Sequence, residues 1–145
     1  MSTLYGVNAT KINAMKPTNI LDPGSTGGKV RCFIDTYVGL ATESAADVIE
    51  MGPELPKGAR ILSLSFQQVG CGGTPDVGDY EDTDRYINEA TDSAVETLGL
   101  TAVVGLGYEV DMTTASTPDN QIIVTLDAAV TLAGVMTLVV TYVVE

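Results

Sequence analysis

The chain contains no histidine and no tryptophan, and both absences restrict the chemistry it can perform. Histidine is the commonest general base, and it completes most serine and cysteine triads and most catalytic zinc sites. Tryptophan is the best aromatic platform for sugars, which leaves the chain poorly supplied for stacking on carbohydrate. Glycine motifs for phosphates and dinucleotides are also missing. We therefore expect a protein that is not an enzyme and needs no cofactor.

Basic residues are scarce too, since 7 Lys and Arg stand against 19 Asp and Glu and give a formal net charge of −12. Nucleic-acid binding depends on basic side chains that neutralise phosphates, so a nucleic-acid partner is disfavoured. The basic residues lie mainly towards the N-terminus, among them Lys11 and Lys16, whereas residues 76–145 are strongly acidic. This asymmetry suits a chain whose N-terminus contacts one surface while its body faces solvent, although a run of carboxylates is by default a solvated face.

Neither a membrane anchor nor a signal peptide is predicted. The apolar run at residues 128–144 is interrupted by threonines and by Gly134 and lacks basic flanks, so we interpret it as a strand. The N-terminus does not show the pattern of a signal peptide, which predicts synthesis in the cytosol. Cys32 and Cys71 are too few for a secreted disulfide scaffold, and their pairing stays open.

Two regions differ in pattern, and the division predicts an arm followed by one domain. Residues 1–28 have sparse apolar residues without a period, and prolines and glycines cluster at 16–28, which indicates an extended N-terminal arm. Residues 29–145 show the period of two that is typical of strands. Strands are predicted at 30–38, 47–51, 60–69, 100–111, 121–126 and 134–144. Turn signals between them, without a sustained helical period, predict an all-β antiparallel sandwich or barrel.

Two local features of these strands can be tested against a structure. In the third strand, Leu62, Leu64 and Phe66 are expected to point inward. The segment 55–58, Leu-Pro-Lys-Gly, fits a type I turn.

The last strand is apolar on both faces, which is unusual for an antiparallel strand in a monomer. Either it lies centrally with both faces covered, or its Val/Thr face packs against another subunit or a lattice. Val139, Thr141 and Val143 are therefore our candidate subunit contact.

Residues 74–92 form an acidic segment with a small apolar island, Arg85-Tyr86-Ile87, and predict a surface loop with a short piece of strand. Carboxylate oxygens are the ligands that calcium prefers, so a cation site at Asp79, Glu81, Asp82 and Asp84 is one interpretation. The spacing does not match an EF-hand. The alternative is a solvated loop in which Arg85 forms salt bridges, and we expect no metal.

Three short motifs follow one another between residues 55 and 144. Leu-Pro-x-Gly-Ala-x-Ile occupies 55–61, Val-Gly-Asp at 77–79 precedes Asp-x-Asp-Arg-Tyr-Ile at 82–87, and Val-x-Tyr-Val-Val occupies 140–144. In this order they resemble the capsid decoration proteins of tailed bacteriophages, also called cement or head-stabilising proteins. The resemblance covers residues 33–145 and leaves the arm outside it.

The resemblance implies a jelly-roll-like β-sandwich that binds the outside of an assembled capsid and stabilises its lattice. Implied partners are the major capsid protein and other copies of the chain, with a trimer preferred because lattice three-fold positions are common docking sites. The implied location is the virion exterior after synthesis in the host cytoplasm, and Lys11 and Lys16 are expected to contact the capsid or a neighbouring copy. The alternative is a tail or head-fibre component with a receptor- or carbohydrate-binding β-sandwich.

Overall fold

The computed structural model describes residues 29–98, 107–113, 118–127 and 134–144. Within these ranges the chain forms seven strands and no helix. In chain order they are β1 (Lys29–Val38), β2 (Val48–Met51), β3 (Arg60–Val69), β4 (Asp76–Gly78), β5 (Val95–Thr97), β6 (Ile122–Thr125) and β7 (Val135–Val144). A helix long and apolar enough to span a membrane is accordingly not found in the described ranges. The predicted arm, residues 1–28, lies outside them.

All strand pairs are antiparallel and belong to two sheets. The four-stranded sheet has the order β1-β7-β3-β5, and the three-stranded sheet has the order β2-β6-β4. β1 and β7 pair over their whole length without a register shift, from Lys29 opposite Val144 to Val38 opposite Val135. The predicted all-β sandwich is confirmed.

The core is built from the facing sides of the two sheets, because alternate residues of each strand point inward. On β7 the inward residues Met136, Leu138 and Val140 are fully buried, and they belong to one cluster with residues of β3, β4 and β6. Burial of a large apolar side chain stabilises the fold by about 1.5–3 kcal/mol. β7 lies between β1 and β3, so it is central in its sheet, but only one of its faces is covered.

One inward prediction for β3 is wrong. Leu64 and Phe66 are buried as expected, whereas Leu62 is 39% exposed. The register against β7 shifts between Ile61 and Ser63, which is the signature of a β-bulge. The extra residue interrupts the alternation of side chains along β3, so the side chain of Leu62 does not point into the core.

The turn before β3 also differs from the prediction. The hydrogen bond that closes it runs from the N–H of Ala59 to the carbonyl of Pro56 at 2.9 Å, so the turn spans 56–59 rather than 55–58. Gly58 is then the third residue of the turn with φ +82°, which fits type II rather than type I.

Two short strands escaped prediction, and one predicted strand is described only at its end. β4 and β5 have three residues each, too few to show a period. Residues 99–106 lie outside the described residues, and the part of the predicted strand at 107–111 forms an isolated bridge between Glu109 and Arg60. The predicted piece of strand in the acidic segment is confirmed by the bridge between Val77 and Ile87.

Candidate functional site

The four-stranded sheet presents a broad face away from the core, which we call the outer face. Its members follow from the register, because residues directly opposite one another share a face. They are Val30, Cys32, Ile34, Thr36 and Val38 of β1, Val135, Thr137, Val139 and Thr141 of β7, Ser63, Ser65, Gln67 and Val69 of β3, and Val95 and Thr97 of β5. None of these side chains is charged, although the chain carries a net charge of −12. At one end of the same side, Val143 lies opposite Val30, and the charged Arg60 lies opposite Val143 and marks the limit of the outer face.

Several large apolar side chains of the outer face are open to solvent. Ile34 is 68% exposed, Val30 is 66% exposed and Val95 is 61% exposed. A shallow depression of about 120 Å³ lies between β5, β3 and β7, where Val95 and Val139 face each other across Ser65 and Gln67. An uncharged surface on which several large apolar side chains are exposed together marks an interaction surface more often than scattered single residues do.

The predicted subunit contact lies at the centre and at one end of this face. Val139 and Thr141 are half-buried on the outer face, whereas Val143 is only 3% exposed. Val143 is opposite Arg60 in the register, and Arg60 pairs with Glu109 at that end of the sheet. Val139 and Thr141 thus present surface to a partner and Val143 presents almost none, while their role in a subunit contact stays a prediction.

The acidic segment contains a buried ion pair rather than only solvated carboxylates. Asp79 is fully buried and accepts hydrogen bonds from the backbone N–H groups of Glu81 and Asp82, both at 2.9 Å. The guanidinium of Arg85 donates to Asp79 through Nε at 2.6 Å and to Glu81 through Nη2 at 2.9 Å. The carboxylate of Asp79 therefore closes the loop at 79–85, which we call the acidic loop.

The acidic loop is connected to the segment before β6 through Tyr108. The guanidinium of Arg85 stacks on the ring of Tyr108, with Cζ 3.9 Å from the ring centroid. The hydroxyl of Tyr108 donates to Asp119 at 2.7 Å, and Asp119 also accepts the backbone N–H groups of Asp111 and Met112. This chain of contacts joins three stretches that are distant in sequence.

Burial and hydrogen bonding have opposite effects on the pKa of each buried carboxyl group, and a different effect prevails in Asp79 and in Asp119. Burial raises the pKa of Asp79, and the hydrogen bond from Arg85 and the backbone N–H groups oppose that rise. Burial also acts to raise the pKa of Asp119, but the donors Tyr108, Asp111 and Met112 outweigh it and lower the pKa. Only Asp119 is therefore held clearly in favour of its ionised form.

The predicted cation site is not assembled by this geometry. The oxygens of Asp79 are occupied by Arg85 and by backbone donors, Glu81 pairs with Arg85, and Asp84 accepts from Asn88. Across the described ranges, no three acidic or cysteine side chains are placed to hold one metal ion. The acidic loop therefore corresponds to the alternative prediction, in which Arg85 forms salt bridges. That prediction is corrected in one respect, because the carboxylate of Asp79 is buried rather than solvated.

The remaining predicted residues fall into two groups. Cys32 and Cys71 are both free, the first exposed on the outer face and the second buried. Lys11 and Lys16 lie outside the described residues, so their predicted contact stays a prediction.

The motifs that carry the family resemblance form the interior of the domain. Leu55, Ala59 and Ile61 of the first motif are buried, as are Tyr86 and Ile87 of the second. An added Cβ at Gly78 would lie 2.2 Å from the carbonyl oxygen of Asp82, so this glycine allows the acidic loop to fold against β4. The three motifs therefore contribute to the core and to turns rather than to an exposed site. The outer face as a whole was not predicted, although charged residues are absent from alternate positions of β1 and β3.

The fold resembles that of a chain in the cyanophage Pam1 capsid asymmetric unit. The TM-score is 0.65 with 22% sequence identity, and the likeness covers 91% of this chain and 96% of that chain. The chain matches no protein-family model and no curated protein at a significant level. The likeness therefore concerns the fold of nearly the whole chain.

Proposed function

We propose that this chain is a structural protein of a phage virion, which binds the outer surface of the capsid and stabilises the assembled head lattice. The observation that carries the proposal is the likeness of fold to a chain of the cyanophage Pam1 capsid asymmetric unit over 91% of this chain. The order of the three motifs supports the same assignment. The major capsid protein and further copies of the chain are the proposed partners, on the capsid exterior.

The outer face is the proposed contact surface. Its uncharged surface, with Val95 and Val139 around the depression, suits burial against another protein because no charge has to be desolvated there. The two buried carboxylates, Asp79 and Asp119, are held by donors of the chain itself, which supports a binding role without a reaction.

Stabilisation of a shell by such a protein needs only weak contacts. Each copy bridges neighbouring capsid subunits, and repetition over the lattice turns a modest interface per copy into a large combined barrier against rupture. The proposed preference for a trimer concerns the copies bound at a three-fold position of the shell and depends on lattice symmetry alone, whereas the dimer argued below concerns the free chain in solution.

The direct test is to mix the purified chain with capsids that lack it and to image the particles by electron cryomicroscopy. Ordered density at symmetry positions of the shell is expected. Bare shells would overturn the proposal, and binding to tails or fibres instead would support a receptor-binding component.

A pair of matched variants tests the contact surface. Val95→Glu places a charge on the outer face, whereas Val48→Glu places one at an exposed position of β2 in the other sheet. We expect Val95→Glu to lower capsid occupancy and Val48→Glu to leave it near the native level. Equal occupancy for both variants would exclude the outer face as the contact surface.

A further inference from the structure

Among the described residues, no strand pairs with the outer edge of β1, which spans ten residues. The sheet order places β1 at the end, with β7 as its neighbour in the sheet. Gly39 continues the register with Gly134, and its N–H donates to the carbonyl of Gly134 at 2.9 Å. In an antiparallel pair such bonded positions recur at every second residue, so the odd-numbered residues of β1 direct their backbone groups towards β7.

The even-numbered residues of β1 therefore direct their N–H and carbonyl groups away from the sheet. These residues, from Val30 to Val38, are all exposed, which shows that the edge is accessible. At one of them, Thr36, the N–H is held by the carboxylate of its neighbour Asp35 at 2.8 Å.

Two of the usual protections of an edge strand, proline and a bulge, are missing from β1. Natural edges carry proline, a bulge or charged side chains that prevent pairing with another chain. β1 contains no proline, and its register against β7 has no shift. Its charged residues Lys29, Arg31 and Asp35 are odd-numbered and lie on the side of the sheet that faces the second sheet, so the outer side of the edge is entirely uncharged.

We propose that two copies of the chain pair through β1, antiparallel, about a two-fold axis at Phe33. The backbone groups of Cys32 then bond those of Ile34 in the second copy, and those of Val30 bond those of Thr36. These hydrogen bonds can form because the paired residues are even-numbered in both copies, and even-numbered residues direct their backbone groups away from their own sheet. The two four-stranded sheets become one sheet of eight strands.

Charge complementarity selects this register. With the axis at Phe33, Arg31 lies opposite Asp35 of the second copy, and symmetry repeats the pair. Opposite charges directly across two strands stabilise the pairing. The guanidinium of Arg31 donates to Oδ1 of Asp35, while Oδ2 keeps the N–H of Gly52, which it accepts at 2.6 Å. Asp35 gives up its bond to the N–H of Thr36, which then donates to the carbonyl of Val30 in the second copy.

The two nearest alternative registers also pair even-numbered residues with each other, but they bring fewer opposite charges together. An axis at Cys32 places Arg31 opposite Phe33 and shortens the paired stretch of the two β1 strands. Lys29 then lies opposite Asp35, and its ammonium group is less directional than a guanidinium. An axis at Ile34 places Arg31 opposite Tyr37 and Asp35 opposite Phe33. Only the axis at Phe33 joins both guanidinium groups to carboxylates.

The pairing also enlarges the surface described above. Even-numbered residues of both β1 strands lie on the same side of the joined sheet, so the two outer faces form one continuous uncharged surface. This dimer does not depend on the proposed capsid role, since either can hold without the other.

The first experiment measures the oligomeric state of the full chain by sedimentation velocity across the micromolar range. The native chain is expected to form dimers. Ile34→Pro removes an N–H that is not used inside the sheet, so it should raise the dimer dissociation constant by about tenfold or more while circular dichroism stays native. A monomeric native chain, or an oligomer that Ile34→Pro leaves unchanged, would overturn the proposal.

The second experiment tests the register by cross-linking and does not depend on the proline variant. In Ile34→Cys, the new thiol lies opposite Cys32 of the second copy, at a Cα separation of about 5.5 Å that permits a disulfide. Mild oxidation should give a covalent dimer, whereas the control Cys32→Ser/Ile34→Cys should give none. Because Cys71 is buried, it does not compete. Equal cross-linking of variant and control would exclude this register.

Discussion

Asp79 and Arg85 form an ion pair in which neither partner is well hydrated. The side chain of Asp79 is fully buried and that of Arg85 is 7% exposed, whereas the side chains of Arg60 and Glu109 are 25% and 51% exposed. A buried pair gains little over an apolar replacement of both partners, but removal of one partner leaves an uncompensated buried charge. The contribution of Arg85 to the stability of the fold therefore depends on the presence of Asp79.

Arg85→Met is expected to lower the free energy of unfolding by about 3–5 kcal/mol, because it leaves the buried carboxyl group of Asp79 without its cationic partner. In the double variant Asp79→Asn/Arg85→Met the loss should be smaller than the sum of the two single losses. Urea denaturation of all four proteins measures this coupling.

Glu109→Gln serves as the control, since it removes an exposed ion pair that should contribute less than about 1 kcal/mol. Additive losses for Asp79 and Arg85 would mean that the two side chains do not act as a pair.

Asp119 gives the domain a component of stability that depends on pH. Its pKa is lowered in the folded state, so its contribution is fully present above the ordinary pKa of Asp and is lost as the pH falls through the lowered value. Asp119→Asn should cost about 1–3 kcal/mol at neutral pH, and this difference from the native chain should shrink as the pH falls below about 4.

Urea denaturation at several pH values measures the difference between the two chains, in which the titrations of Asp79 and of other carboxyl groups cancel. A difference that stays constant down to pH values well below the ordinary pKa would contradict the assigned role of Asp119.

At the scale of elements, the acidic loop depends on a close approach that only glycine allows. Gly78→Ala would bring a methyl group within 2.2 Å of a backbone oxygen of the loop, so the loop must shift, at a cost of about 1–3 kcal/mol. Gly58→Ala meets no neighbouring atom but has φ +82°, and the left-handed conformation alone costs about 1–2 kcal/mol.

The distinguishing measurement is local rather than global. Hydrogen exchange at the N–H groups of Glu81 and Asp82 should accelerate in Gly78→Ala and stay native in Gly58→Ala, since only the first substitution disturbs the bonds to Asp79. Unchanged exchange at these two N–H groups in Gly78→Ala would show that the loop does not require glycine.

The longer strands were predictable because alternation over ten residues is a strong signal. β1, β3 and β7 begin and end within about a residue of the sequence prediction. β4 and β5 were not, since three residues cannot display a period. The bulge at Leu62 and the type II turn at Gly58 depend on pairing with β7 and on Val110, which are contacts distant in sequence.

The candidate site was less predictable than the fold. Local composition indicated solvated carboxylates at the acidic loop, whereas the burial of Asp79 depends on Arg85 and on the distant Tyr108. The outer face likewise arises only when β1, β7, β3 and β5 are placed side by side, because no single strand shows that all four lack charge on the same side.

At the scale of the whole molecule, charge is distributed unevenly. The outer face is uncharged, the described body is strongly acidic, and the basic residues Lys11 and Lys16 precede the sheet in sequence. Under the proposed capsid role, this distribution predicts two kinds of contact with a capsid. Contacts through the outer face should depend little on ionic strength, while contacts through Lys11 and Lys16 should weaken as salt screens them.

Charge reversal at the basic residues separates these two contributions. Lys11→Glu and Lys16→Glu should each lower capsid affinity by roughly two- to fivefold at low salt, because a surface ion pair is replaced by repulsion. The control Lys57→Glu has the same net charge but lies in the exposed turn before β3, and it should bind like the native chain. Capsid occupancy, measured by co-sedimentation at several salt concentrations, should converge for all four proteins at high salt. If Lys57→Glu weakened binding as much as the other two, general repulsion from the acidic body would explain the effect, and a specific contact by Lys11 and Lys16 would be ruled out.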